Sequence, residues 1–247
     1  MAYGDFVVQK DLTFDINRGD IFIIMGGSGC GKSTLLRHLI GLKEPATGQV
    51  LYPPKQHEQG KTIDFWQSEL EVQRALMRNF GVLYQSGALW SSMTLAENIA
   101  LPLAEYTELS DAEIRDLASL KLALVGLKGF EDYYPSEISG GMKKRAGLAR
   151  ALALDPDLLF FDEPSAGLDP VSARLLDDLI LQLRDNLGAT VVVVTHELAS
   201  LFAIGNNSVF LDAEAKTMIA TGNPNELLRH SDNQKVITFL TRGEQGE

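Results

Sequence analysis

The residues of this 247-residue chain that could do chemistry fall into a few short clusters. Gly26-Gly27-Ser28-Gly29-Cys30-Gly31-Lys32-Ser33 has the spacing G-x-x-x-x-G-K-[ST]. Glycines there let the backbone turn tightly, so that its N–H groups point inward at phosphate oxygens. A lysine in that place reaches the terminal phosphates of a nucleotide, and the hydroxyl of Ser33 suits Mg2+. Far downstream, Leu158-Leu159-Phe160-Phe161 runs into two acids, Asp162 and Glu163. Beside a phosphate loop, Asp162 can hold Mg2+ through water, and Glu163 can orient and polarise an attacking water. Each cluster alone has a plainer reading, a glycine-rich turn or a solvated strand end. Together they point to hydrolysis of a nucleoside triphosphate.

These groups need elements to hold them. Ile21–Met25 is a fully apolar run of buried-strand type, and it ends at the glycine loop. Lys32–Leu42 then predicts a helix, with Leu35, Leu36, Leu39 and Ile40 on one face and its N-terminus aimed at the phosphate. Leu12–Ile16 predicts an early strand, Arg18-Gly19-Asp20 a turn and Gly81–Gln85 another strand. Pro53-Pro54 and the polar stretch to Gly60 predict a surface insertion. From Thr94 to about Leu154 the pattern is helical, interrupted near Gly126–Pro135. Leu158–Phe161 and Val191–Thr195 read as strands, separated by a helical stripe of Leu175, Leu176, Leu179, Ile180 and Leu183. Asn225–Phe239 predicts one or two short helices before a charged tail. Alternating strands and helices imply an α/β chain with a largely parallel sheet.

Composition limits the function class. With 45% hydrophobic residues the chain can bury a sizeable core, and its charged fraction is that of a folded protein. A net charge of −11 argues against nucleic acid as a partner, because backbone binding needs a basic footprint. The single cysteine, Cys30, excludes an internal disulfide and fits a reducing compartment. No apolar run approaches the roughly 20 residues that cross a bilayer, and no signal peptide opens the chain. Work at a membrane would therefore need another chain to span it.

The loop identifies a P-loop NTPase, and further residues narrow the kind. Ser139-Gly140-Gly141-Met142 resembles the ABC signature motif, departing from the usual L-S-G-G-Q at Ile138 and Met142. Gln85 resembles the Q-loop glutamine. Ser165-Ala166-Gly167-Leu168-Asp169 resembles the D-loop, and Val194-Thr195-His196 the switch histidine. Tyr3 stands near where the family keeps an aromatic to stack on adenine, though little chain precedes it here. The order of these elements is that of ABC ATPases. The resemblance implies one nucleotide-binding domain over residues 1–247. It would have a RecA-like core at about 1–89 and 155–247 and a helical subdomain inserted at about 90–154.

It also implies roles. Lys32, Gln85, Glu163 and His196 would be catalytic, and Ser33, Gln85 and Asp162 would serve Mg2+. ATP would contact Tyr3, the loop from Gly26 through Gly27, Ser28, Gly29, Cys30, Gly31, Lys32 and Ser33 to Thr34, and, from a second copy, Ser139, Gly140, Gly141 and Asp169. The site would be complete only in a head-to-tail homodimer with two-fold symmetry. Within the family, Tyr84-Gln85-Ser86-Gly87-Ala88-Leu89-Trp90, Leu101-Pro102-Leu103, Leu124-Val125-Gly126-Leu127 and Pro135–Met142 look like the ATPase of Mla/Mce-type phospholipid transporters. That likeness implies an integral-membrane permease of the MlaE type, a periplasmic Mce-type lipid-binding protein, a small cytoplasmic regulatory subunit, and residence at the cytoplasmic face of the inner membrane. Another transported solute, or a soluble non-transport ABC ATPase, are the alternatives. Leu89, Trp90 and Met93 either receive the permease or only pack the subdomain on the core.

Overall fold

The computed structural model describes residues 1–4, 6–53 and 62–242. A hairpin of β1 (Ala2–Tyr3) and β2 (Phe6–Val7) precedes the buried strand β3 (Ile21–Gly26) and helix α1 (Lys32–Leu39). A second hairpin, β4 (Leu51–Tyr52) and β5 (Ile63–Asp64), and helix α2 (Leu70–Met77) lead to β6 (Phe80–Leu83). Then come α3 (Leu95–Tyr106), α4 (Asp111–Leu124), a 3-10 turn at Pro135–Glu137 and α5 (Gly140–Ala151). The chain continues through β7 (Leu158–Asp162), α6 (Pro170–Leu187), β8 (Thr190–Val194), α7 (Leu198–Ile204), β9 (Asn207–Asp212), β10 (Thr217–Thr221), α8 (Pro224–His230) and α9 (Gln234–Leu240).

Six strands form the main sheet in the order β10-β9-β3-β8-β7-β6, parallel except for β10, which runs antiparallel to β9. The two-residue period of a strand explains why these runs are apolar throughout. Ile21, Ile23 and Met25 of β3 face one side with Leu159, Phe161, Val191 and Val193, and join the helices α3 to α7. Phe22 and Ile24 face the other side with Phe160, Val192 and Val194, where Leu35 and Leu36 of α1 cover them. Both faces are buried, so neither can alternate with polar residues. β7 and β8 stop level with Ile24 of β3, which runs on two residues to Gly26, so that the C-terminal ends deliver Gly26, Asp162 and Val194 to the same edge of the sheet.

Several expected boundaries differ. Leu12–Ile16 pairs in no ladder; it runs extended, and Leu12, Phe14 and Ile16 pack alternately on the α1 side, with Phe14 stacked on Phe22 at 5.3 Å. The alternation reflected one buried face, which packing supplies without strand pairing. The strand expected at Gly81–Gln85 is Phe80–Leu83, leaving Gln85 in the turn beyond. Helix α1 ends at Leu39 rather than Leu42, because Gly41 takes φ 75° and stops the spiral. The turn after Asn17 is present, closed by Asp20 N–H on the Asn17 carbonyl at 3.1 Å. The insertion expected after Pro53 and the end of the charged tail lie outside the described residues. Among the described residues no helix is long and apolar enough to cross a membrane.

Candidate functional site

The glycine loop bridges β3 and α1 through contacts that only glycine permits. Gly26 has φ 144°, and a Cβ there would lie 2.3 Å from the Leu211 carbonyl oxygen. Gly31 caps α1 at φ 98°, with Val8 Cγ1 where a Cβ would reach. Between them Cys30 is buried, and burial pushes its thiol up. The buried Gln9 braces this loop from behind: its amide donates to the Cys30 carbonyl at 2.7 Å and to the Asp212 carbonyl at 2.9 Å. Lys32 folds its ammonium over the loop, donating to the carbonyls of Gly26 at 2.9 Å and Gly27 at 3.1 Å.

Two pairs assemble beside it. Ser33 Oγ donates to Asp162 Oδ1 at 3.1 Å, across from one strand end to the first turn of α1. Burial pushes the Asp162 carboxyl up, opposed by the bond from Ser33. One hydroxyl in the first turn of α1 and one carboxylate at the end of β7, both oxygen ligands, fit Mg2+, which takes few protein ligands and completes its shell with phosphate oxygens and water. The second pair is Glu163 and His196, with Nδ1 2.8 Å from Oε1. The other carboxylate oxygen of Glu163 is buried without a partner. Its N–H donates to the Val194 carbonyl at 2.8 Å, and its backbone is left-handed, φ 49°. A non-glycine residue rarely adopts that conformation except where the surroundings hold it.

The remaining expected residues lie around this centre. The Lys43 ammonium lies over the Tyr3 ring, and the neighbouring Thr34 hydroxyl and Lys43 hold the Tyr3 phenol below its usual range. Gln85 is exposed in the turn that Gly87 N–H closes on the Tyr84 carbonyl at 2.8 Å. Its side chain makes no hydrogen bond to Ser33, Asp162 or Glu163 among the described residues. Ser139 caps α5, accepting from Met142 N–H at 3.3 Å, and leaves Gly140 exposed. Asp169 caps α6, accepting from the Val171 and Ser172 amides at 3.0 Å and the Ser172 hydroxyl at 2.6 Å. A Cβ on Gly141 would come within 3.0 Å of Ser172 Oγ, so the signature turn and the Asp169 cap are neighbours. Neither turn bonds to the glycine loop of the same chain among the described residues.

Other residues of the site carried no readable signal. Arg150 of α5 donates to the Ala88 carbonyl at 2.7 Å and grips the loop after Gln85. Gly147 of α5 lets that loop lie against the helix, since its Cβ would sit 2.9 Å from the Gly87 carbonyl. The buried Asn98 bonds both the N–H and the carbonyl of Trp90, at 2.7 and 3.1 Å. Trp90 itself is 58% exposed, whereas Leu89 packs on the core.

The sequence model of the family described as "ABC transporter" matches residues 9–166. The chain belongs to the ABC transporter family. It is 42% identical over 239 residues to a "Probable ribonucleotide transport ATP-binding protein mkl" of Mycobacterium leprae, covering 97% of this chain and 66% of that protein. The chain thus spans just under two thirds of that relative. It is 38% identical over 237 residues to the "Intermembrane phospholipid transport system ATP-binding protein MlaF" of Haemophilus influenzae, covering 96% and 86%. Among solved structures, a dimeric ATP-binding cassette in a post-hydrolysis state bound to ADP and Pi superposes with a TM-score of 0.76 at 29% identity, covering 87% of this chain and 90% of that one. A cassette from Clostridium perfringens that is part of an ABC transporter complex gives 0.78 at 27% identity, covering 95% and 90%. The α/β architecture, a mostly parallel sheet with the phosphate loop at its C-terminal edge, is that of the family.

Proposed function

We propose that this chain is the ATP-binding and ATP-hydrolysing subunit of an ABC transporter that powers phospholipid movement across the cell envelope. The observation that carries the enzymatic part is the convergence at one sheet edge of the Ser33–Asp162 and Glu163–His196 pairs beside Lys32. Lys32 and the loop amides bind the β- and γ-phosphates. Ser33 and Asp162 would hold Mg2+, which would supply charge neutralisation at the phosphate oxygens. Glu163 accepts a proton from the water that attacks the γ-phosphorus, while the bond to the bridging oxygen breaks and leaves ADP and phosphate. His196, bonded to Glu163, steadies the carboxylate and would contact the γ-phosphate.

In this reading the chain works as a two-fold pair. The exposed Ser139–Gly141 turn of one copy closes over the nucleotide held by the other, with Asp169 beside it, and Gln85 reports on the metal and the permease. Tyr3 stacks on adenine with Thr34 beside the phosphates. The core comprises about residues 1–89 and 155–247, and 90–154 form the helical subdomain. The pair sits at the cytoplasmic face of the inner membrane under an MlaE-type permease, with a periplasmic Mce-type lipid-binding protein and a small regulatory subunit as further partners. The phospholipid cargo follows the likeness to the Haemophilus protein; the name of the mycobacterial relative supports ribonucleotide as the second reading.

Turnover of Glu163→Gln tests the enzymatic part. Loss by about 10²–10⁴ is expected, and unchanged turnover refutes the role. Affinity purification from membranes tests the cargo: a co-purifying permease with bound phospholipid supports the first reading, and one without lipid, stimulated by ribonucleotide, the second.

A further inference from the structure

Helix α5 carries a cation in its buried face. Lys144 is 6% exposed and sits in line with Gly147 and Ala151, the stripe that lies against β6 and the loop after it. An ammonium out of water must be partnered. Its hydrogen bond goes to the backbone carbonyl of Glu163, at 3.3 Å, and the carboxylates of Asp162 and Glu163 are the charges that act on it. The same carbonyl accepts from Ala166 N–H at 3.2 Å. The left-handed bend at Glu163 is therefore pinned on both sides, by β8 through its N–H and by α5 and the Ser165–Asp169 loop through its C=O. The bend turns the side chain toward His196 instead of onward along the strand.

We propose that Lys144 is a positioning residue for Glu163, fixing the backbone bend that aims its carboxylate and tying that aim to the signature turn at the start of α5. Ser139 lies five residues before Lys144, about 7.5 Å of helix rise. A stiff helix of that length moves as one piece. Contact of the Ser139–Gly141 turn with the partner's nucleotide is thereby felt at the carboxylate serving the chain's own nucleotide. The proposal rests on the reading of Glu163 as the group that activates water.

The test uses the full chain with ATP and Mg2+ and compares Lys144→Met, which removes donor and charge, with Lys144→Arg, which keeps both. Lys144→Met is expected to lower kcat about 10–10²-fold, the scale of an ångström-sized misplacement, with KM for ATP and the affinity for a fluorescent ATP analogue within about twofold. Lys144→Arg should recover most of the rate. In a Glu163→Gln background Lys144→Met should cost nothing further. Wild-type turnover in Lys144→Met, a loss carried by KM alone, or a full additional loss in the Glu163→Gln background overturns the proposal. If Lys144→Met shows no cooperative unfolding, Lys144→Gln takes its place with the same expectations. Full activity of Glu163→Gln by itself would instead sink the assigned role of Glu163, a separate result.

Discussion

Asp177 on α6 offers a clean measurement of buried charge. It is 4% exposed, and burial pushes its carboxyl up to about 6 from an ordinary 3.8, with Asp178 adding to the rise and Ser200 and Arg174 opposing it. One carboxylate oxygen has no partner. A native pKa above the unfolded one means that the folded chain holds this proton more tightly. The stability it contributes is fully present below pH 3.8 and is lost as pH rises through about 6. A shift of about two units corresponds to at most about 3 kcal/mol. Asp177→Asn keeps the shape and cannot ionise. The variant should match the parent near pH 4 and exceed it by up to about 3 kcal/mol at pH 7.5, a rise in midpoint of about 6–12 °C for a chain of this size. Urea unfolding of both proteins across that range gives the difference. A difference that does not change with pH would refute the reasoning, because it would leave hydrogen bonding and not ionisation as the cause.

Two other outcomes follow from close contacts and exposure. Gly147→Ala places a Cβ 2.9 Å from both the Gly87 carbonyl oxygen and Leu83 Cδ1, so it should cost about 1–3 kcal/mol and lower the thermal midpoint by about 2–4 °C per kcal/mol; an unchanged midpoint would show that α5 and the loop have slack. Trp90→Ala should leave stability within about 0.5 kcal/mol, since the side chain is exposed and Asn98 holds the backbone, yet weaken retention of the chain by detergent-solubilised membranes. Unfolding of the variant would assign Trp90 to packing instead.

The phosphate loop was legible because its chemistry is local: Gly26 and Gly31 occupy backbone conformations that other residues avoid, and sequence spacing records that directly. β3, β7 and β8 were legible because both faces are covered, which writes unbroken apolar runs. The segment Leu12–Ile16 shows the limit, since a period of two reports one buried face and not a ladder. Helix α2 was missed because its eight residues are too few to show a sustained apolar period, and none of them is buried. β9 and β10 passed unread although Val209-Phe210-Leu211 is apolar. The roles of Lys144, Arg150, Asn98 and Gln9 were invisible for another reason: each acts on a backbone carbonyl or amide, several of them distant in sequence, and only the packed chain brings them together.

Cys30 stands inside the phosphate loop, sealed beneath Gly26 and unreactive while buried. As the sole sulfhydryl of the chain it doubles as an internal gauge of that loop. An alkylating probe finds nothing to label while the turn keeps its shape, and the rate of labelling in any variant counts how often the nucleotide cradle comes undone.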